Sequence, residues 1–205
     1  MKEIITKQLA DELMKIKGEA RGVHFKNDAE YILKEEGEQA LKKIEQETQE
    51  LGYPIKYKEI KNTGFYPAGL RVISLLAIQQ ALGWDDDKIK KMCKTAAGSS
   101  LIVRVFMKFL YPVLKAIKIG PKIWREYWTE GTFKIVDYNK KEKQMIFRVE
   151  GLDLHPIYCQ SCLEGFFEGM AKLIIGAKDP VCKETKCPLR DEDKSQRIHE
   201  YLVKW

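Results

Sequence analysis

Four of the five cysteines and two of the three histidines fall between His155 and Trp205. The pair Cys159-x2-Cys162, followed by Cys182-x4-Cys187, has spacings that a tetrahedral zinc site can use, with His155 or His199 as a nitrogen ligand. Zinc held there would staple a helix to strands, and metal binding of that kind is folding energy. A competing reading makes the thiols core residues, because cysteine behaves as a small hydrophobe and the first two sit on an apolar helical face. A thioredoxin-like role would need a strand running directly into the CxxC within a βαβ unit, and none precedes it.

The elements that must position these groups are readable from the spacing. Apolar residues recur at three and four from Pro156 to Ile175, which predicts one helix with Pro156 in its first turn. On it Cys159, Cys162, Phe166, Met170 and Leu173 share a face, and His155 stands just before the first turn. Gly165 and Gly169, four apart, leave a smooth strip for another backbone, and Gly176 is the expected stop. A short strand follows around Val181 to Thr185, then an acidic loop, then a closing strand from Ile198 to Trp205. Its alternation places His199, Tyr201, Val203 and Trp205 on one face, the expected core face.

Glycines four apart on a cysteine-bearing helix, then Glu184-Thr-Lys-Cys187, then a closing strand ending His-x-Tyr-x-x-x-Trp: this series resembles the 4-vinyl-reductase domain. That family is described as a predicted hydrocarbon-binding module. With haem-NO-binding and TRAPP-component proteins it belongs to a ligand-binding fold of NO signalling and Golgi transport. The resemblance implies a small apolar or aromatic ligand. It also implies, as in some members, a cysteine-ligated zinc whose ligands match Cys159 or Cys162 and Cys187. The family's last cysteine opens the closing strand; here His199 stands at or near that slot, and histidine can replace cysteine on zinc. Haem is implied only by the fold's relatives, whose Tyr-x-Ser-x-Arg motif is missing, so haem is not expected.

A chain of 205 residues, 44% hydrophobic and 32% charged, can bury a full core, which suits one domain, 1–205, with 1–17 as a helical N-terminal extension. The first residues lack the apolar run of a signal peptide, and no uncharged apolar stretch reaches membrane-spanning length. A cytoplasmic protein is expected, and an odd cysteine count there points to thiols or metal ligands rather than disulfides. The net charge of +6 comes from interleaved lysines and glutamates and does not indicate nucleic-acid binding.

Earlier in the chain, Ala20 to Phe25 alternates as a weak strand with His24 on its outer face, and a long helix is predicted from Asn27-Asp28 to Leu51. A second strand is expected over Ile55 to Ile60, followed by a loop whose Phe65 and Tyr66 could line a pocket mouth. Leu70 to Leu82 is apolar nearly all round, a central buried helix. From Leu101 to Ile119 the pattern is a basic amphipathic helix: Arg104, Lys108, Lys115 and Lys118 form one stripe, and Pro112 is expected to kink it. The stripe would serve a membrane surface or an acidic partner, or its lysines simply reach water past core residues, the favoured reading. Trp124 and Trp128, four apart, make an aromatic ridge, and a hairpin is expected around Asn139 to Lys143.

No nucleophile elbow, phosphate loop, dinucleotide fingerprint or HExxH helix occurs, so no enzyme is expected. The expected fold is α+β, a twisted and mostly antiparallel sheet with helices largely on one side. The expected function is a non-enzymatic sensor or carrier, with a homodimer as its route for output. Its cavity would take a small apolar or aromatic ligand against Tyr66, Phe106, Leu110 and Phe166. The alternative is an interaction or tethering subunit resembling TRAPP components.

Overall fold

A computed structural model describes residues 4–99, 113–152, 154–191 and 197–205. The order is α1 (Lys7–Leu13), β1 (Glu19–Arg21), α2 (Val23–Glu35), α3 (Glu38–Glu50), β2 (Phe65–Pro67), α4 (Ala68–Leu82) and α5 (Asp86–Ser99). After it come α6 (Val113–Arg125), β3 (Thr132–Asn139), β4 (Gln144–Glu150), a π-helical turn (Ile157–Cys162), α7 (Leu163–Ile175), β5 (Val181–Lys186) and β6 (Ile198–Lys204). The fold is α+β, as expected.

The C-terminal half supplies one antiparallel sheet in the order β3-β4-β6-β5. Strict alternation along β4 and β6 buries Met145, Phe147 and Val149 beside His199, Tyr201 and Val203. Phe167 of α7 seals this face, its ring 4.7 Å from Phe147 and 4.8 Å from Tyr201. Trp205 is only half-buried and stacks on Tyr138 at the sheet's end.

Gly165 and Gly169 do what their spacing promised. A Cβ on Gly165 would lie 2.1 Å from the carbonyl oxygen of Lys90, and one on Gly169 2.3 Å from that of Lys94. The backbone of α5 therefore lies directly on α7, and only glycine admits it.

Three sequence expectations are corrected. The strand expected at Ala20 to Phe25 is limited to Glu19–Arg21, which pairs with Phe65–Pro67 in a separate two-stranded ribbon. From Val23 the chain is helical, because Phe25, Ala29 and Ile32 also satisfy a four- and three-residue period, and all three are buried. The single helix expected to Leu51 is two, broken at Gly37, whose φ of 82° no helix accommodates. Residues 55–60 form no strand: the N–H of Ile55 goes to Thr48 Oγ1 at 3.1 Å and that of Tyr57 to Glu45 Oε1 at 2.9 Å. Side chains of α3 thus take the donors that a ladder would have used.

Candidate functional site

Helix α2 starts at Val23, which puts His24 and Asp28 four apart on one face, a turn from each other. Across from them α4 is buried on all sides, yet it contains Arg71, 2% exposed. A buried guanidinium needs a counter-charge. Arg71 finds it in Asp28, through Nη1 to Oδ2 and Nη2 to Oδ1, the latter at 3.3 Å. Its Nη2 also lies 3.7 Å from the sulfur of Cys162, and its guanidinium stacks over Phe25.

This pair forms the polar end of a cavity of about 80 Å³. The walls are otherwise apolar and aromatic: Trp124, Trp128 and Phe133 on one side, Tyr158, Phe166 and Phe167 on the other. Trp124 stacks on both Trp128 and Phe133, so the predicted aromatic ridge is part of the wall. Two polar atoms at this end are buried without a hydrogen-bond partner, Nε2 of His24 and Nε of Arg71. Burial, reinforced by the charge of Arg71, lowers the His24 pKa to about 3, so the imidazole is neutral across the physiological range. Unmet buried donors are rare enough that each calls for an explanation.

The second constellation lies where α7 begins. An α-helix would stack Cys159 and Cys162 on adjacent positions of one face, but residues Ile157–Cys162 form a π-turn, whose wider ring separates them. Cys162 faces Arg71, Cys93 and the cavity. Cys159 faces the sheet, its sulfur 3.8 Å from Nε2 of His199, whose Nδ1 lies 2.8 Å from Oε1 of Glu184. Ligand atoms of Cys159, Glu184 and His199 all fall within 4.8 Å of one another. Burial, then the neighbouring Glu184 and Cys187, push the Cys159 thiol well above its ordinary range. Cys187 is buried too; burial pushes its thiol up, and its carbonyl oxygen accepts the N–H groups of Arg190 at 3.0 Å and Asp191 at 2.8 Å. Oε2 of Glu184 is buried with no hydrogen bond and has Arg190 Nη1, at 3.4 Å, as a cationic neighbour.

The remaining sequence candidates are dispersed. Cys182 is buried in the sheet core, raised by burial, with its sulfur outside this cluster. His155 is half-buried and uses Nδ1 to accept the N–H of Ile157, a helix-start contact. Tyr66 does not line the cavity; its hydroxyl accepts the N–H of Lys61 at 2.9 Å and its ring meets Phe25. Phe166 is on the wall. Arg104, Phe106, Lys108, Leu110 and Pro112 lie outside the described residues, and Lys115 and Lys118 fall on α6. No helix among the described residues is long and apolar enough to cross a membrane. Sequence reasoning missed Asp28 and Arg71 and undervalued His24. The available signal was a lone arginine in a helix with no other charge, which must bury its partner with it.

No family model matches the chain, and no curated protein matches it either. Solved structures do. An H-NOX protein from S. oneidensis in the Fe(II) ligation state matches with a TM-score of 0.62 at 11% identity, over 90% of this chain and 95% of that one. The same protein in the Fe(II)NO state gives 0.61 at 11% identity, over 90% and 98%. A structure concerned with heme distortion in the H-NOX family gives 0.60 at 8% identity, over 90% and 94%. These matches overturn the expectation against haem, since the neighbours are themselves described by their heme and its ligation state. A missing three-residue motif carries little weight at identities near a tenth, where side chains turn over while the backbone path persists. The cavity wall offers donor types that hold haem iron, an imidazole at His24 and thiols at Cys93 and Cys162. From the ribbon and helices of its first half to the closing strand, the chain has the fold of the H-NOX domains.

Proposed function

We propose that this protein is a non-enzymatic small-molecule sensor or carrier whose ligand occupies the aromatic cavity with its polar group against His24. One observation carries the reading: Nε2 of His24 is buried without a partner on the wall of a cavity otherwise lined by rings. An apolar enclosure with a few oriented polar groups is how proteins hold small ligands. The fold's neighbours, one described by its heme and another by its Fe(II) ligation state, support a ligand-binding role. Haem, one form of that ligand, is larger than the cavity of about 80 Å³, which is about half the ~150 Å³ that takes one benzene ring, so it would enter only with the walls drawn apart; bound, it would supply an iron centre, and His24, Cys93 and Cys162 are the cavity donors that could hold it. A small organic molecule is the other form, in keeping with the resemblance to the hydrocarbon-binding family.

The cluster of Cys159, Glu184 and His199 is proposed as a structural zinc site, with Cys187, whose charge acts on Cys159, as a fourth ligand. Mixed sulfur, nitrogen and oxygen donors suit four-coordinate zinc. Zinc would tie the π-turn to β5 and β6, behind the cavity wall, so that ligand-driven movement of α7 reaches the sheet.

The test uses the purified full chain and His24→Leu. Trp124 and Trp128 report on the cavity by fluorescence, and a haem titration reports by its visible absorption. Quenching or a haem band that is lost in His24→Leu supports the reading. Wild-type protein that responds neither to haem nor to any small aromatic or aliphatic compound would sink it.

A further inference from the structure

We infer that Cys93 and Cys162 form a redox pair, oxidised to a disulfide by a small peroxide that enters the cavity. The pair shares the cavity with the ligand reading above, and its chemistry does not depend on what His24 binds.

Cys93 stands on α5 and Cys162 in the π-turn, far apart in the chain. Cα atoms of the two elements nevertheless come within 8 Å, and the backbone of α5 lies directly on α7 at Gly165, one turn further on. A disulfide closes across such an approach with at most a small backbone shift. The side chains already meet, since Cys162 hydrogen-bonds Cys93. Both residues line the cavity, Cys162 with 6% of its surface open and Cys93 with 1%. Cysteines that merely fill a core are packed on every side. Two that touch each other at the edge of an opening are placed to react. Cys159, Cys182 and Cys187 do not line this cavity.

Cys162 is the attacking thiol. Nη2 of Arg71 carries two hydrogens, one for Oδ1 of Asp28 and one for the Cys162 sulfur at 3.7 Å, and a cationic donor there stabilises the negative charge of the attacking sulfur. Cys93 is the resolving thiol. Burial first, then the hydrogen bond and charge of Cys162, push it well above its ordinary range, so it keeps its proton until Cys162 has reacted. The Cys162 sulfur attacks one peroxide oxygen, the O–O bond breaks, and the far oxygen leaves as water with the thiol proton. Cys93 then attacks the sulfur of the sulfenic acid so formed: the S–S bond forms, the S–O bond breaks, and the hydroxyl departs as a second water with the Cys93 proton. The peroxide gains the two electrons that the thiols lose. Nε of Arg71, buried without a partner, is a further donor for its oxygens. Size selects the oxidant: a cavity of about 80 Å³ exceeds the roughly 10–15 Å³ that one water needs but is about half the ~150 Å³ that takes benzene, so hydrogen peroxide fits and a glutathione disulfide does not.

The purified full chain, reduced and then freed of reductant, is exposed to hydrogen peroxide or to oxidised glutathione, quenched with an alkylating reagent and peptide-mapped by mass spectrometry. The expected product is a peptide pair joining Cys93 to Cys162, lost on adding dithiothreitol. At equal oxidant concentration it should form at least about tenfold faster with peroxide than with oxidised glutathione, because access to the sulfurs limits the larger reagent. Closing so long a loop of the unfolded chain should also raise the urea midpoint of the oxidised protein above that of the reduced one. Cys93→Ala and Cys162→Ala should each abolish the link and the midpoint shift, and Cys182→Ala should keep both. In Cys93→Ala, peroxide should leave a sulfenic acid on Cys162 that dimedone traps. Cys93 and Cys162 both alkylated after peroxide treatment overturn the pair. A link between other cysteines in its place, or one that forms as fast with oxidised glutathione, overturns it as well. The His24 reading stands or falls separately, on the haem and fluorescence titrations of His24→Leu.

Discussion

Oε1 of Glu168 accepts the backbone N–H of Cys182 at 3.0 Å, and one turn earlier Oε1 of Glu164 accepts the N–H of Glu184 at 2.9 Å. Strand β5 is the sheet's edge, so these N–H groups have no neighbouring strand. Two carboxylates of α7 stand in for one, and Lys90 and Lys94 of α5 hold them in place at 2.8–2.9 Å. An unpaired edge is an aggregation hazard, and here it is closed by side chains. The same contacts fix Glu184 next to His199, so the edge and the candidate metal cluster share one support.

Glu168→Ala should therefore destabilise the protein by about 3 kcal/mol, since it strands a buried N–H and leaves Lys90 and Lys94 short of a partner. Urea unfolding measures it. Burial opposes ionisation of Glu168, but the Cys182 N–H and the two lysines outweigh it and hold its pKa below the ordinary value. A carboxylate depressed in the folded state contributes stability above its unfolded pKa and loses it as pH falls through the folded one. Wild type should lose more stability than Glu168→Gln on acidification below about pH 4.5. Equal acid sensitivity would mean the network contributes nothing.

Gly165→Ala should cost more than the usual overpacking penalty of about 1–3 kcal/mol, because its Cβ would meet backbone rather than a movable side chain. Gly98→Ala is the control. Among the described residues nothing lies within 4 Å of a Cβ there, and inside α5 alanine should stabilise by about 0.5–1 kcal/mol. Thermal melts of both variants should move in opposite directions.

Gly165 and Gly169 were legible because a glycine pair at helical spacing has few uses other than close packing. The closing strand was legible for a similar reason: one face of β6 is all buried, so only one register hides His199, Tyr201 and Val203. The cysteines were grouped wrongly by helical period, since the π-turn that sends Cys159 and Cys162 to different sites leaves no mark in a pattern of three and four. His24 was hidden by a run, Ala20 to Phe25, that reads equally as strand or helix. The helix prevails because Gly22 lets the chain pass 2.1 Å from the carbonyl oxygen of Lys61, measured from where a Cβ would sit, before turning into α2.

If zinc is held as proposed, Cys159→Ala, Cys187→Ala and His199→Ala should each lower zinc content measured by native mass spectrometry to near zero. Cys162→Ala and Cys182→Ala should retain one zinc per chain, because their sulfurs lie on the cavity wall and in the sheet core. Sequence spacing alone made Cys182 an equal candidate. Zinc loss in Cys182→Ala with retention in His199→Ala would reverse the assignment.

His24 should also write itself into the pH dependence of stability. Its pKa is lowered from 6.5 to about 3 on folding, by burial first and Arg71 second, so the unfolded chain binds this proton more readily. Stability associated with the neutral ring is fully present above pH 6.5 and is lost as pH falls from there toward about 3, with a slope of at most about 1.4 kcal/mol per pH unit. His24→Gln replaces the ring with an amide that cannot titrate, so the difference in unfolding free energy between variant and wild type should shift steadily in the variant's favour over that interval. The measurement is urea unfolding at closely spaced pH values between 4 and 7. A difference that stays flat would mean the ring reaches water and protonates freely in the folded protein, and would remove the neutral, unpartnered nitrogen on which the ligand site is built.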